Sequence, residues 1–217
     1  MGTRNLICVV DENGEYRVAK YCQWDGYPEG QGKKVYNFVS NPDNLKALSN
    51  ALNIVEEIDP ARLESYWKQC GSKGDGWVTC DVADKFREQY PHLHRDMGGE
   101  ILQYIVDLYN NGVGVVEVSS DLDFANDGLM CEWCYLVDLR SRTFEVYKGF
   151  NKSEVGENAR FNGPPDKYGY YPVALLKLWK FDELPATVED FFQQVEDALP
   201  KTDEDDNPIR EIKVEVI

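Results

Sequence analysis

Leu6-Ile7-Cys8-Val9-Val10 is apolar at every position and is followed directly by Asp11-Glu12-Asn13-Gly14. Asn-Gly between two strand-like runs is the strongest short-range sign of a β-hairpin, because both residues accept the positive φ that a tight hairpin turn requires. Tyr16 to Cys22 then resumes with the alternation of a strand. A strand that is apolar on both faces cannot border water, so the first strand belongs inside a sheet covered on two sides. This restricts the remainder of the chain. It must supply both the neighbouring strands and the cover.

The following segments supply the cover. Val35 to Val39 reads as a short helix. Asn41-Pro42-Asp43 has the residues of a helix start, with Asn as N-cap and proline in the first turn. Leu45, Leu48, Leu52 and Val55 continue from it as one helical stripe. Asp59-Pro60 opens a second helix in the same way, with Leu63, Tyr66, Trp67 and Cys70 on its apolar face. A third runs through Val82, Phe86 and Tyr90 to Pro91, and a fourth begins near Glu100 with Ile101, Leu102, Ile105, Leu108 and Tyr109 facing inward. Strands are expected from Val113 to Val118, from Leu129 to Val137 with a hairpin partner at Thr143 to Lys148, and from Pro172 to Phe181. Thr187 with Asp190 resembles a capping box that starts a last helix. Lys201 to Pro208 reads as a solvated acidic run, and Ile212 to Val216 alternates as an edge strand would. The expectation is a single α+β domain over residues 1–217. It has a mainly antiparallel sheet, built from the N-terminal hairpin and C-terminal strands, with a helical segment inserted between them and packed on the sheet.

Charge and cysteine content narrow the function classes. The 39 acidic and 23 basic residues give a formal net charge of −16. Such a chain is expected to bind neither nucleic-acid phosphates nor anionic membranes directly, and its acidic surface suits either solubility or a basic partner. No apolar run is long enough to span a bilayer, and the N-terminus lacks the apolar core of an export signal, so a cytoplasmic protein is expected. The six cysteines then read as reduced, mostly buried sulfur. Cys131 and Cys134, three apart on an expected strand, should point to opposite faces, which disfavours a metal or redox pair. His92, His94 and Asp96 offer two zinc-ligand types or an oriented base, but no third ligand accompanies them, and Asp96 is expected to cap the next helix. No metal and no cofactor are expected.

The stretch with the densest binding chemistry is Gln23-Trp24-Asp25-Gly26-Tyr27-Pro28-Glu29-Gly30-Gln31-Gly32. Glycine and proline shape it as a loop at the exit of the second strand. Either Trp24 and Tyr27 plug the edge of the core while Asp25 bonds backbone amides, or the rings stack on a ligand while Asp25 and Glu29 accept hydrogen bonds. Arg4 is placed beside this loop by the hairpin and can pair Asp25 or meet an anion. Glu132 and Trp133 approach from a later strand. The candidate ligand-binding residues are therefore Arg4, Trp24, Asp25, Tyr27, Glu29 and Glu132.

The initial Thr3-Arg4, the hairpin and Trp24-Asp25-Gly26-Tyr27-Pro28 resemble a family of small proteins found in phage and microbial genomes. Leu129 to Leu139 and Phe144 to Gly149 are similar to its longer members. The resemblance implies a phage or mobile-element setting, where small accessory proteins interfere with host systems, and no established activity. The expected function is non-enzymatic binding of a protein partner or small ligand. One alternative is a small hydrolase with Asp25, Glu29 or Glu132 as acid and base. A second is a self-associating structural protein.

Overall fold

In the computed structural model, which describes residues 2–200, the hairpin forms at the expected place. β1 (Asn5–Val10) pairs antiparallel with β2 (Tyr16–Cys22). Every residue of β1 is buried. On its other side β1 pairs in parallel with β5 (Trp133–Asp138), which pairs antiparallel with β6 (Thr143–Lys148), and β6 with β7 (Ala174–Lys180). The sheet order is β2-β1-β5-β6-β7, mainly antiparallel with one parallel pair at its centre. The fold is α+β.

Between the hairpin and β5 run α1 (Lys33–Val39), α2 (Pro42–Ala51), α3 (Pro60–Gln69), α4 (Cys80–Gln89) and α5 (Ile101–Asn110). α6 (Val188–Ala198) follows β7. The caps form as the sequence predicts in three places. Asn41 accepts from the Asp43 N–H, Asp59 from those of Ala61 and Arg62, and Thr187 from that of Asp190. One face of the sheet (Ile7, Val9, Tyr135, Val137, Phe144) packs against α1, α2, α5 and α6, whose Val35, Leu48, Ile105 and Phe191 are buried in the same cluster. The opposite face (Leu6, Cys8, Cys134, Leu136, Tyr147) is covered by chain without regular strands or long helices, through Ala125, Phe161 and Val173. Both faces of β1 and β5 are therefore dry, as the unbroken apolar run demands.

Three expectations change. Val55 is not the end of a helical stripe. The α2 pattern unwinds through one 3₁₀ turn at Leu52–Ile54 into β3 (Val55–Glu57), which pairs in parallel with β4 (Val116–Val118) as a separate two-stranded sheet. β4 is shorter than the apolar run Val113 to Val118 predicts, because only its last three residues find a partner. Cys131 and Cys134 do not point to opposite faces. Cys131 precedes the strand, so the alternation rule does not reach it, and both thiols join Cys8 in the second core cluster. All six cysteines are free, and Cys80 alone is exposed. The expected acidic run at Lys201 to Pro208 and edge strand at Ile212 to Val216 lie outside the described residues. No helix among the described residues is long and apolar enough to cross a membrane.

Candidate functional site

β1 starts, β2 ends, β5 starts and β6 ends at one end of the sheet, and this shared end gathers most of the predicted residues. The chain leaves β2 at Cys22 and turns under the sheet before a single π turn (Pro28–Gly32) leads into α1. The turn requires Asp25 at φ 55°, a left-handed conformation that a short polar residue accepts more readily than most. Gly26 is needed for close approach, since a Cβ there would lie 2.8 Å from the Thr3 carbonyl oxygen. The loop backbone is held from three sides. The buried Tyr135 hydroxyl donates to the Gly26 carbonyl (2.8 Å). Asn5 Nδ2 donates to the carbonyls of Cys22 (3.3 Å) and Trp24 (3.4 Å). Gln31, itself buried, donates through Nε2 to the Trp24 carbonyl (3.3 Å) and accepts from the Gly99 N–H (2.9 Å).

The side chains behave differently from the backbone. Trp24 and Tyr27 remain 43% and 41% exposed. The Trp24 indole N–H donates to Asp96 Oδ1 (3.0 Å), and the Tyr27 hydroxyl donates to Asp25 Oδ1 (3.4 Å). The plug is thus made by backbone, Gln31 and Tyr135, while both rings face outward. Asp25 bonds the Tyr27 hydroxyl rather than backbone amides. Glu29 is exposed and has no side-chain hydrogen bond among the described residues.

Arg4 pairs with Glu132, not with Asp25. Its backbone N–H and its Nη2 both reach Glu132 Oε1 at 3.2 Å. Nη1 donates only to the Met130 thioether (3.0 Å), and Nε is buried without a partner. On the other side of β5, Lys148 Nζ donates to the Glu132 carbonyl (3.3 Å) and sits 4.7 Å from the ring centroids of both Trp133 and Phe150. Burial pushes the Lys148 ammonium below the usual lysine range, against the attraction of Glu132. Phe150 carries a positive φ of 57° while 45% exposed, a strained placement for an aromatic residue. Asp25 and Glu132 are engaged separately, Asp25 by the Tyr27 hydroxyl and Glu132 by Arg4.

The His92-His94-Asp96 segment, read from sequence as a separate cluster, packs against this loop. Asp96 does not cap α5. It takes the Trp24 indole and Arg87 Nη1 (3.2 Å) instead, and α5 starts after Glu100 without a side-chain cap. His94 Nδ1 accepts from the Asp96 N–H (3.3 Å), consistent with burial holding its pKa low. His92 lies in a 3₁₀ turn, stacked on Tyr104 with Nδ1 3.3 Å from that hydroxyl. Burial lowers its pKa to about 4. Lys20, fully buried on β2, donates to the Tyr21 carbonyl (3.0 Å) and is also held below the usual lysine range by burial. No group of three or more potential metal ligands occurs among the described residues.

Residues that the sequence did not single out complete this end of the sheet: Tyr21, Arg95, Met130, Lys148 and Phe150. A second cluster that was missed lies at the middle and far end of the second face. Arg160 Nη2 bridges Asp138 Oδ2 (2.6 Å) and Glu145 Oε1 (2.8 Å), its Nε reaches Glu145 Oε2 (3.0 Å), and Tyr147 and Thr143 donate to the same Glu145. The alternation of β6 offered a signal for it, because Thr143, Glu145 and Tyr147 share a face. Its partner Arg160 sits in an irregular segment with no periodicity to place it. No family model matches this chain, and neither the curated proteins nor the solved structures compared with it include a significantly similar one.

Proposed function

We propose that this protein binds a partner protein through the exposed rings of Trp24 and Tyr27, and that the contact is its function. The observation that carries the reading is the division of labour in the loop. Its backbone is fixed by Asn5, Gln31 and Tyr135, yet both rings stay about two-fifths exposed. Large aromatics held rigidly at the surface lose little conformational entropy on binding, which is why they dominate contact energies. Asp96 and Asp25 bond the two rings, Glu29 follows Tyr27 by two residues in the same loop, and the chain's net charge is −16, so a basic partner surface fits best. The resemblance to small phage and mobile-element proteins supports a host protein as that partner.

The test is capture with immobilised protein from a host extract, in parallel with the Trp24→Ala/Tyr27→Ala double variant. Specific capture lost in the variant and weakened by salt supports the reading, provided the variant retains the wild-type unfolding midpoint. Equal capture by both proteins, or none by either, overturns it. Loss of two central aromatic contacts should weaken binding by about 2 kcal/mol or more.

A further inference from the structure

We infer that a cavity at the end of the sheet opposite Trp24 binds a free α-amino acid with an apolar side chain. The site is independent of the aromatic contact proposed above, since the two lie at opposite ends of β1 and β5.

β1 and β5 end, β6 starts and β7 ends at this pole of the sheet. The β1–β2 turn, α2, the β5–β6 turn and the residues after β7 enclose a cavity of about 530 Å³. That volume lies within the range of small-molecule sites. Its apolar wall is made by Leu45, Leu139 and Phe181, which pack on the main core. Two cations, Lys46 and Arg142, and two carboxylates, Glu12 and Asp182, line the same space. None of the four is joined to another by an ion pair among the described residues. The Ser49 hydroxyl donates to Glu12 Oε1 (2.8 Å) and so ties α2 to the β1–β2 turn across the cavity.

Arg142 is the observation that points to a ligand. It ends the turn between β5 and β6 with a φ of 58°. A left-handed residue in a hairpin turn is ordinarily Gly or Asn, because a larger side chain is strained there. Strain of this kind persists where the surroundings hold it, and it gathers at ligand clamps. Here the Phe181 N–H donates to the Arg142 carbonyl (3.0 Å), and the guanidinium carbon lies 5.9 Å from the Phe181 ring centroid. Backbone and side chain are thus placed on the cavity wall before a ligand arrives. The guanidinium makes no hydrogen bond or ion pair among the described residues, so its donors are open to one.

The chemistry of the lining selects the ligand. A guanidinium donates to a carboxylate through two parallel hydrogen bonds, and Lys46 adds a second positive charge. Asp182 and the second oxygen of Glu12 suit an ammonium. The apolar wall suits an aliphatic or aromatic side chain. An α-amino acid carries these three groups on one carbon. A simple anion would face the two acids without answering them, and a simple amine would do the same with the two cations. A zwitterion also has no net charge, so the −16 of the chain does not repel it.

Calorimetric titration of the full chain with L-leucine and L-phenylalanine tests the site. Each is compared with the analogue lacking its ammonium (4-methylpentanoate, 3-phenylpropanoate) and the one lacking its carboxylate (isopentylamine, phenethylamine). Saturable binding of at least one amino acid is expected, with both of its analogues about tenfold weaker or more, the loss of one charge-assisted contact. Arg142→Gly should weaken that binding at least about tenfold while the unfolding midpoint of the free protein holds or rises, because glycine adopts the left-handed φ without strain. Asp182→Asn should weaken the amino acid by a similar factor and leave the ammonium-free analogue no weaker. Absence of saturable binding for both amino acids overturns the inference. So does an ammonium-free or carboxylate-free analogue that binds as tightly as its parent, or an affinity that survives Arg142→Gly.

Discussion

At the scale of single residues, the histidines set a stability prediction with a definite sign. His92 has its pKa held near 4 by burial, helped by the nearby charge of Lys20 and opposed by Glu117. In the unfolded chain it titrates near 6.5. Between those values the unfolded chain binds a proton that the folded protein does not, so folding stability falls as pH drops from about 6.5 towards 4. His94, also lowered chiefly by burial, acts in the same direction. Urea unfolding at pH 7 and pH 4.5 should show a loss of about 2 kcal/mol from His92 alone, and His92→Gln should flatten that part of the slope. An unchanged slope in the variant would remove His92 as the cause. Sequence exposed the residue types here and not their environment. His92, His94 and Asp96 stood out as a polar cluster, but the sequence did not show that Tyr104 stacks on His92 and Phe86 packs beside His94, nor that Lys20, far off in the chain, adds its charge. Arg4 is similar. The hairpin put it beside the loop, and the identity of its partner, Glu132, depended on a parallel pairing that local pattern does not specify.

At the scale of elements, most of the helices and the five-stranded sheet were legible because their signals are local. Asn13-Gly14 fixes a turn, Asn41-Pro42 and Asp59-Pro60 fix helix starts, and period-2 or helical stripes fix the rest. The β3–β4 pair was not legible, since each strand is three residues and gains its identity only from the other. The irregular cover of the second face carries no period-2 or helical stripe, so neither its packing nor its anchorage is legible in the sequence. Arg160 supplies that anchorage by reaching from the loop to Asp138 and Glu145 on the sheet. Burial alone would raise the Asp138 pKa, but hydrogen bonds from the Ser141 N–H and from Arg160 outweigh it and hold the carboxyl below its ordinary range. Asp138 therefore stabilises the fold at neutral pH, and the contribution is lost as pH falls below about 4. Arg160→Met leaves two buried carboxylates without their cation. It should cost about 3 kcal/mol in urea unfolding, and the segment between β6 and β7 should become the first site of limited proteolysis. Arg160→Lys restores one charge without the fork and should recover part of the loss. A variant as stable and as protease-resistant as the wild type would show that the apolar contacts of Phe161 and Val173 hold the segment unaided.

At the scale of the whole molecule, charge is the dominant unsatisfied quantity. The excess of 16 acidic over basic side chains cannot be absorbed by the ion pairs that form, because several of these pairs are surface contacts of small individual value. Self-repulsion therefore opposes the compact state, and the unfolded chain relieves it by expansion. Raising sodium chloride from about 0.01 M to 0.15 M shortens the screening length from about 30 Å to about 8 Å, which removes most repulsion between carboxylates on different elements. The partly buried pairs Arg4–Glu132 and Arg160–Glu145 are screened far less. The unfolding midpoint should accordingly rise with salt over this range, by several degrees for a domain of this size if the relief is about 1–2 kcal/mol. Thermal unfolding by circular dichroism at pH 7 across that series measures it. A midpoint that falls with salt would mean that favourable pairs outweigh the repulsion. The same field sets the conditions for partner binding: a basic partner should associate fastest at low salt and slow as salt rises, whereas a neutral partner should show no such dependence. Stability rising with salt while association slows is the joint signature expected of an acidic molecule that meets a basic surface.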